Sequence, residues 1–317
     1  MDLIIGEEEK IEKRDFDLII IGAGAAGLSA AIYATRSGLS TIIIDGSSPG
    51  GLTAEAPLVE NYLGYTAIRG TELANNMVEH ARNYTKIIDN CKVLSIKKEG
   101  NFTLTTEKGK FTAKSIIFAT GTKHKHLGVK GENEYYGKGL SYCVTCDGYL
   151  FKNKKVLVIG GGNSGAIAAI YLKNLAKEVK IFEFMPKFMC EDAYVKQIQS
   201  MGIEYRKNVQ VMEIKGDGKS LKSVTFKERG TDSIQEEEFD GVFIYVGLMP
   251  QSEIAKTIGV KTNDKGFIEI DRNGRTNVDF VYAAGDVAGS FAQIIVAASD
   301  GAIAANSAYQ DLSKKGN

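Results

Sequence analysis

Two cysteines separated by two residues are the clearest chemical signal in this chain. They lie in the segment Cys143-Val-Thr-Cys146-Asp147-Gly148. Such a setting can lower the pKa of one thiol from about 8.5 into the physiological range. One thiolate can then attack a substrate disulfide while the second resolves the mixed disulfide, and Asp147 could move a proton to or from the leaving thiol. The segment predicts a redox dithiol.

Zinc binding is the rival interpretation of the same pair. A tetrahedral zinc site needs four ligands, and the sequence contains no second Cys-x-x-Cys. The remaining candidates, Cys91, Cys190, His124 and His126, are not paired at that spacing, so we expect no metal site. We expect Cys91 and Cys190 to be small buried hydrophobic residues. We expect His124 and His126 to be solvated loop residues.

A glycine-rich turn near the start of the chain predicts a dinucleotide site. Gly22, Gly24 and Gly27 follow an apolar run and precede a segment with helical periodicity, the order of a βαβ unit. The first glycine permits the tight turn, the second lets the backbone approach a pyrophosphate, and the third lets the helix pack on the strand. Asp45, at the end of the next apolar run, can accept both hydroxyls of an adenosine ribose. The alternatives are a turn that only packs a helix and an Asp45 that holds a structural hydrogen bond.

A second copy of the turn begins at Gly160 and predicts a second dinucleotide site. A 2′-phosphate about 4 Å from its acid would be repelled by about 4 kcal/mol at an effective dielectric constant near 20, which disfavours NADPH relative to NADH. The alternative is that this copy keeps its fold and binds no nicotinamide. The residues of the copy are Gly160, Gly162, Asn163, Ser164, Gly165 and the acid Glu183.

The elements that position these motifs also occur twice. Residues 18–45 and 155–183 each read as strand, glycine turn, helix and strand, and each is followed by alternating segments typical of antiparallel hairpins. The sequence therefore predicts an α/β protein with two Rossmann-like three-layer dinucleotide-binding domains, the second inserted in the first. We expect the first domain to comprise residues 1–122 and 248–317, and the second, which carries the dithiol, residues 123–247.

Composition narrows the class of partner. The chain has 39 Lys and Arg residues against 39 Asp and Glu residues, so it has no net charge that favours nucleic acid. Its longest apolar runs, such as residues 242–246, are far shorter than the roughly 20 residues needed to cross a bilayer. The N-terminal segment, up to Phe16, lacks the apolar core of a signal peptide. We expect a cytoplasmic protein that binds neither nucleic acid nor membrane.

Together these motifs resemble the low-molecular-weight thioredoxin reductases of the flavoprotein disulfide reductase superfamily, over about residues 15–312. Residues 50–64 are similar to the family segment along the flavin ring, with Leu52 in place of Gln. Residues 283–289 resemble the second FAD motif. The resemblance implies a homodimer that binds FAD through Gly22, Gly24, Ala25, Ala26, Gly27, Asp45, Gly46, Gly51, Leu52, Asn61, Val93, Ala119, Thr120, Gly121, Gly285, Asp286, Gln293 and Ile294.

One departure from this family concerns the electron donor. NADPH-using members carry His-Arg-Arg and a later Arg after the second-domain strand, because guanidinium groups bind the 2′-phosphate bidentately. This chain has Glu183-Phe-Met-Pro-Lys-Phe-Met189 instead. Similar branches are associated with reduced ferredoxin or a reduced deazaflavin. The expected donor is thus NADH, ferredoxin or deazaflavin rather than NADPH.

The resemblance implies an FAD-dependent thioredoxin-disulfide reductase. Electrons pass through FAD to the Cys143/Cys146 disulfide and on to a thioredoxin-like protein, with Asp147 as the acid. By family analogy we expect Cys143 to exchange with the substrate and Cys146 to face the flavin. Two alternatives use the same motifs: an FAD-dependent small-molecule dithiol oxidase that passes electrons to oxygen, and a non-catalytic nucleotide-binding scaffold with a structural Cys-x-x-Cys.

Overall fold

The structure is a computed structural model that describes residues 14–56 and 58–315. Its strands are β1 (Asp15–Ile21), β2 (Thr41–Ile44), β3 (Ile87–Ile88), β4 (Val93–Glu99), β5 (Asn101–Thr106), β6 (Gly109–Phe118), β7 (Thr122–His124), β8 (Leu140–Ser141), β9 (Lys155–Ile159), β10 (Glu178–Phe182), β11 (Glu204–Arg206), β12 (Val209–Gly216), β13 (Leu221–Glu228), β14 (Ser233–Glu238), β15 (Gly241–Ile244), β16 (Leu248–Pro250) and β17 (Val281–Ala283). Its helices are α1 (Ala25–Arg36), α2 (Gly70–Arg82), α3 (Glu132–Tyr135), α4 (Val144–Asp147), α5 (Asn163–Lys173), α6 (Asp192–Ser200), α7 (Glu253–Lys256) and α8 (Ile294–Lys315).

The first sheet contains seven strands in the order β3-β2-β1-β6-β5-β4, with β17 also paired to β6. The second half of its central strand β1, residues 18–21, is a continuous apolar run because both faces are covered there. Leu18 and Ile20 pack in one buried cluster with alanines of α1 and α8, while Ile19 and Ile21 pack in a second cluster on the other face. The predicted βαβ unit, the hairpins after it and the late return of the chain through β17 are all confirmed.

The second sheet repeats this plan with five parallel strands in the order β11-β10-β9-β15-β8. Leu157 and Val158 of β9 are both fully buried, which explains its continuous apolar sequence. The polar alternating segments that follow form a separate antiparallel sheet, β12-β13-β14. The predicted fold class, two dinucleotide-binding units each with an antiparallel excursion, is therefore confirmed. We call the parts built on these sheets the first and second units.

The chain passes between the two units at a short antiparallel ladder. Strand β7 pairs with β16, with Thr122 opposite Pro250 and His124 opposite Leu248. The boundary predicted after residue 122 lies inside β7, and the one predicted after residue 247 lies directly before β16. The division into domains stays a prediction.

Small residues bring the last helix against the first glycine turn. A side chain at Gly301 of α8 would place its Cβ 2.0 Å from the carbonyl oxygen of Ala26, so only glycine permits this approach. Near the far end of α8, Asp311 accepts hydrogen bonds from Arg275 at 2.8 and 3.0 Å. This packing holds the C-terminal helix beside the turn that precedes α1.

No helix in the described ranges is long and apolar enough to cross a membrane.

Candidate active site

A large cavity, of about 1650 Å³, lies between the two units. Its lining includes both cysteines of the predicted dithiol and Asp147. It also includes every residue that the resemblance assigned to FAD apart from Gly27, which packs behind the turn. Positions as distant in the sequence as Gly22 and Gln293 therefore meet at one site, as the duplicated plan with a returning chain end predicts.

The first glycine turn is shaped to admit a ligand to its backbone. Gly22 has φ +108°, and a Cβ there would lie 2.2 Å from the oxygen of Ala119. A Cβ at Gly27 would lie 1.9 Å from the oxygen of Gly22. At Gly24, in contrast, a Cβ would meet nothing within 4 Å. A side chain at Gly24, which lines the cavity, would therefore project into open space.

Asp45 holds this turn to the end of β2. One carboxylate oxygen accepts a hydrogen bond from the backbone N–H of Ala23. The other accepts from the N–H and the hydroxyl of Ser47, at 2.7 and 2.8 Å. Asp45 is half-buried and lines the cavity, so the structural hydrogen bond and the predicted ribose contact are compatible.

The late part of the chain also lines the cavity, and Gly285 lies beside Ala26 of α1. Asp286 lies just after β17, and burial, reinforced by the charge of Asp300, raises the pKa of its carboxyl. Gln293 accepts a hydrogen bond of 2.9 Å from the side-chain amide of Asn61. This bond joins the two segments predicted to flank the flavin, and it places Asn61 beside the start of α8.

The predicted dithiol forms a disulfide between Cys143 and Cys146. Cys143 caps the short helix α4, because its sulfur accepts a hydrogen bond of 3.2 Å from the backbone N–H of Cys146. The N–H of Cys143 in turn donates to the hydroxyl of Ser141 at 2.9 Å. Cys146 is the more exposed member of the pair. The local turn thus fixes the sulfurs on the cavity wall.

Two residues that sequence reasoning missed support the dithiol. Tyr245 accepts a hydrogen bond of 3.1 Å from the N–H of Val144, and burial raises the pKa of its phenol to about 12. Glu55, from the first unit, accepts at its backbone oxygen a hydrogen bond from the hydroxyl of Thr145. Glu55 lies in the family segment 50–64 and Tyr245 follows β15, but no spacing or periodicity distinguishes either residue from its neighbours.

The expectation for His124 was wrong. Its side chain is 22% exposed and its Nε2 lies 2.8 Å from a carboxylate oxygen of Glu55. The pairing of β7 with β16 holds it beside the rings of Tyr142 and Tyr245. His126 is more open, with a 60% exposed side chain.

The two isolated cysteines follow expectation to different degrees. Cys91 is fully buried, as expected. Cys190 is half-buried, and burial raises the pKa of its thiol. Within residues 14–56 and 58–315 no group of three His, Cys, Asp or Glu side chains is placed to hold a metal ion.

The second glycine turn has nearly the same backbone as the first. Gly160 has φ +110°, and a Cβ at Gly165 would lie 1.9 Å from the oxygen of Gly160. The acid at the end of β10, Glu183, accepts from the N–H groups of Gly161 and Met185 at 2.5 and 2.7 Å. Asn163 and Ser164 line the large cavity, whereas Gly160, Gly162, Gly165 and Glu183 are not among its lining residues.

The surroundings of the second acid are crowded. Glu183 is only 6% exposed. Burial, reinforced by the charge of Glu183, raises the pKa of the neighbouring Tyr205 phenol. Tyr205, whose buried hydroxyl has no hydrogen-bond partner within the described chain, stacks on Phe188 with ring centroids 3.6 Å apart. Arg229, which no sequence motif placed here, donates to the carbonyl of Phe184 at 3.0 Å and lies 4.0 Å from the centre of its ring.

Comparison with known proteins identifies the class that this fold and site define. Residues 16–301 match the family model described as pyridine nucleotide-disulphide oxidoreductase, and the chain belongs to this family of FAD-dependent oxidoreductases.

Within that family the chain is similar to thioredoxin reductases of the low-molecular-weight type. It is 57% identical to the thioredoxin reductase of T. acidophilum, with a TM-score of 0.93 and coverage of 95% of this chain and 99% of that one. It is 39% identical to the thioredoxin reductase of Treponema pallidum over 93% of this chain and 96% of that protein. A ferredoxin-flavin thioredoxin reductase from Clostridium acetobutylicum is 32% identical, with a TM-score of 0.52 and coverage of 95% and 99%. The chain is a flavin-dependent disulfide reductase, and its homologues imply a thioredoxin partner and an electron donor.

Proposed function

We propose that this protein reduces the disulfide of a thioredoxin-like protein through Cys143 and Cys146. It would use FAD held between the glycine turn at Gly24 and the segment after β17 that contains Asp286. The observation that carries the proposal is that the disulfide and both FAD segments line one cavity. When bound, FAD would supply the two-electron chemistry that returns the dithiol to its reduced form.

The residues fit that cofactor. The open space over Gly24 admits a pyrophosphate to the backbone and to the start of α1. Asp45 presents carboxylate oxygens near the predicted ribose position, and the half-buried Asp286 carboxyl is available to a ribitol hydroxyl. Gln293, joined to Asn61, borders the predicted position of the ring. The full FAD contact set that we propose is the one given by the family resemblance.

The dithiol chemistry is ordinary thiol–disulfide exchange. The Cys143 thiolate attacks one sulfur of the substrate disulfide, a mixed disulfide forms, and the departing thiolate takes a proton that Asp147 can deliver. The Cys146 thiolate then attacks the Cys143 sulfur and releases the second substrate thiol. Two electrons and two protons pass to the substrate, and the Cys143–Cys146 disulfide forms again. The position of Asp147 directly after Cys146 in α4 supports this assignment.

For the electron donor we propose NADH, reduced ferredoxin or a reduced deazaflavin, and not NADPH. The support is the Glu183 carboxylate at the end of β10, which would repel a 2′-phosphate. Arg229 contacts the segment that follows β10, but its guanidinium already donates to the carbonyl of Phe184 and stacks on the ring of the same residue. A ferredoxin-flavin thioredoxin reductase among the similar structures supports ferredoxin as one of the three candidates. We also propose that the protein acts in the cytoplasm as a homodimer, as the family resemblance implies.

Anaerobic bleaching of the flavin tests the donor. Purified holoenzyme is titrated separately with NADPH, NADH, reduced ferredoxin and reduced deazaflavin. We expect rapid bleaching by at least one of the last three and none by NADPH. Rapid bleaching by NADPH would overturn the donor proposal.

Cys146→Ser tests the dithiol in the same preparation. We expect this variant to keep bound FAD and to lose reduction of a thioredoxin-like disulfide, because the resolving thiol is gone. Full turnover by Cys146→Ser would overturn the scheme. Hydrogen peroxide production with a small dithiol, without thioredoxin reduction, would favour the dithiol oxidase instead.

A further inference from the structure

Glu132 is a buried carboxylate in the second unit. Its side chain is only 4% exposed, and it accepts hydrogen bonds from the backbone N–H groups of Leu127 and Gly128 at 2.7 and 2.6 Å. It also accepts from the hydroxyl of Tyr142 at 2.5 Å. Although burial opposes ionisation, these bonds hold the pKa of the Glu132 carboxyl below its ordinary value. The group is therefore an anion at neutral pH, and no step of the dithiol chemistry has yet used it.

Tyr142 links this carboxylate to an imidazole. Its hydroxyl oxygen lies 2.8 Å from Nδ1 of His126. The hydroxyl has a single hydrogen, which it donates to Glu132, and burial beside that carboxylate raises the pKa of the phenol. Nδ1 must therefore donate to Tyr142. This bond fixes the tautomer of a neutral His126 and makes Nε2 its basic nitrogen.

The basic nitrogen of His126 is accessible. The side chain is 60% exposed, and the residue lines the large cavity together with Cys143. Among the residues that the structure describes, Nε2 of His126 has no hydrogen-bond partner. A histidine that is oriented through one ring nitrogen, with the other nitrogen open to the site, has the arrangement of a general base.

The segment that orients His126 also carries the reactive sulfur. Tyr142 directly precedes Cys143, so their Cα atoms are about 3.8 Å apart. The hydroxyl of Ser141 accepts a hydrogen bond from the N–H of Cys143 at 2.9 Å and lies 3.3 Å from its carbonyl oxygen, to which it donates. Residues 141–143 thus hold the imidazole and the first cysteine on the same cavity wall.

We propose that His126, oriented by Tyr142 and Glu132, is a second acid–base residue of the dithiol chemistry and takes the proton of the Cys143 thiol. The proposal rests on the proposed function, in which two protons pass to the substrate and Asp147 carries one of them.

The proton that His126 carries returns to the substrate. Nε2 accepts it from the Cys143 thiol, directly or through one water, before the thiolate attacks the substrate disulfide. When the Cys146 thiolate attacks the Cys143 sulfur, the bond between Cys143 and the substrate breaks. The imidazolium then protonates the second substrate sulfur as it departs. No electron passes through His126, and Tyr142 and Glu132 act as positioning residues.

Three further titratable groups adjoin this chain of hydrogen bonds. His124 of β7 stacks on the ring of Tyr142, and Tyr136 packs against the same ring. The carboxylate of Glu55 lies 2.8 Å from Nε2 of His124. Of the two imidazoles, His126 is therefore the one whose Nε2 is open to the cavity.

The pH profile of Cys143 alkylation tests the proposal. In a Cys146→Ser, Cys190→Ala background Cys143 is the accessible thiol, because Cys91 is fully buried. This protein, with FAD bound, is reacted with iodoacetamide across pH, with and without His126→Gln. An imidazolium beside the thiolate lowers the pKa of the thiol, so His126→Gln should raise that pKa by about one unit.

The expected change in rate depends on pH. At neutral pH the thiolate fraction should fall about tenfold, and the higher nucleophilicity of the more basic thiolate should recover about threefold, which leaves a rate about threefold lower. Above the ordinary thiol pKa of about 8.5 the two rates should converge. Equal profiles would overturn the proposal. A rate lowered by the same factor at every pH would indicate altered access to the sulfur and would overturn it too.

Matched variants separate the proton carrier from its neighbours. Tyr142→Phe keeps the ring and removes the hydroxyl that orients His126, so it should lower the neutral-pH rate by about twofold with FAD still bound. His80→Gln removes an exposed imidazole of α2 that does not line the cavity and should leave the profile unchanged. His124→Gln should also leave it unchanged, and a loss in His124→Gln equal to that in His126→Gln would overturn the assignment.

This experiment is independent of turnover. Alkylation needs neither an electron donor nor a thioredoxin-like protein. Failure of the wild-type protein to reduce a thioredoxin-like disulfide would count against the proposed function, whereas an unchanged alkylation profile in His126→Gln would count against His126 alone.

Discussion

The two glycine turns have almost the same backbone and very different surroundings. In both, the first glycine has a φ close to +110° and the third packs within contact of the first. In both, an acid from the second strand accepts a hydrogen bond from the residue after the first glycine. Yet Asp45 is half-buried and borders the large cavity, while Glu183 is 6% exposed beside Tyr205.

This difference shows that the glycine motif determines the backbone of the turn but does not by itself determine whether the turn binds a ligand. The first and third glycines and the acid satisfy demands of strand, turn and helix packing, which exist with or without a ligand. A Cβ added to the second glycine of the motif would meet nothing within 4 Å in either copy. We infer that binding depends on residues from other segments, because Gly285 and Asp286, which follow β17, line the cavity together with the first turn.

The largest expected effect comes from filling the second glycine. Because a Cβ at Gly24 meets nothing within 4 Å and its φ is −80°, Gly24→Val should fold. Its side chain would project where the pyrophosphate must approach, so we expect FAD affinity to fall by about ten- to a hundredfold. Fluorescence titration of apoprotein with FAD measures this.

Gly162→Val is the matched control for that change. Gly162 has φ −78° and the same open surroundings, so this variant should fold and bind FAD normally. Equal loss of FAD in both variants would mean that the two turns are not functionally distinct.

The two acids provide a smaller and sharper comparison. Asp45→Ala and Glu183→Ala each leave two backbone N–H groups without their acceptor. We expect each to lower the free energy of unfolding of the apoprotein by about 1–3 kcal/mol. Only Asp45→Ala should also weaken FAD binding, by about tenfold. Urea unfolding and FAD titration of the same samples test both expectations, and weakened FAD binding in Glu183→Ala would contradict the assignment.

Local motifs predicted most of the fold and part of the site. The apolar runs of β1 and β9 and the paired glycine turns are short-range patterns with strict periods, so they predict their own structure. The residues assigned through the family segments also meet around the cavity, including the distant Asp286.

Contacts between units were beyond the same reasoning. Glu55 and Thr145 are 90 positions apart and belong to no common period, and their bond depends on how two units meet. His124 looked like a loop residue because a three-residue strand such as β7 leaves little periodic signal. Arg229 reaches Phe184 for the same kind of reason, since the two residues belong to separate segments that only the fold brings together.

The smallest expected effect comes from Asp286, the acid after β17 that lines the cavity near the first glycine turn. Burial, reinforced by Asp300, raises the pKa of the Asp286 carboxyl above its ordinary value of 3.8. The folded apoprotein therefore holds this proton more tightly than the unfolded chain does, so the contribution to stability is present at low pH and is lost as pH rises through the folded pKa.

Asp286→Asn removes that ionisation and should raise the melting temperature of the apoprotein at neutral pH, with no difference from wild type at pH values below the ordinary aspartate range. The amide can still meet a ribitol hydroxyl, so FAD affinity should fall by only about threefold. Thermal unfolding of apoprotein across pH, with Asp264→Asn as an exposed control, checks the sign. A lower melting temperature at neutral pH would show that the protein itself stabilises the ionised Asp286. The carboxylate would then not need a hydrogen bond from the cofactor, which would count against its proposed contact with the ribitol.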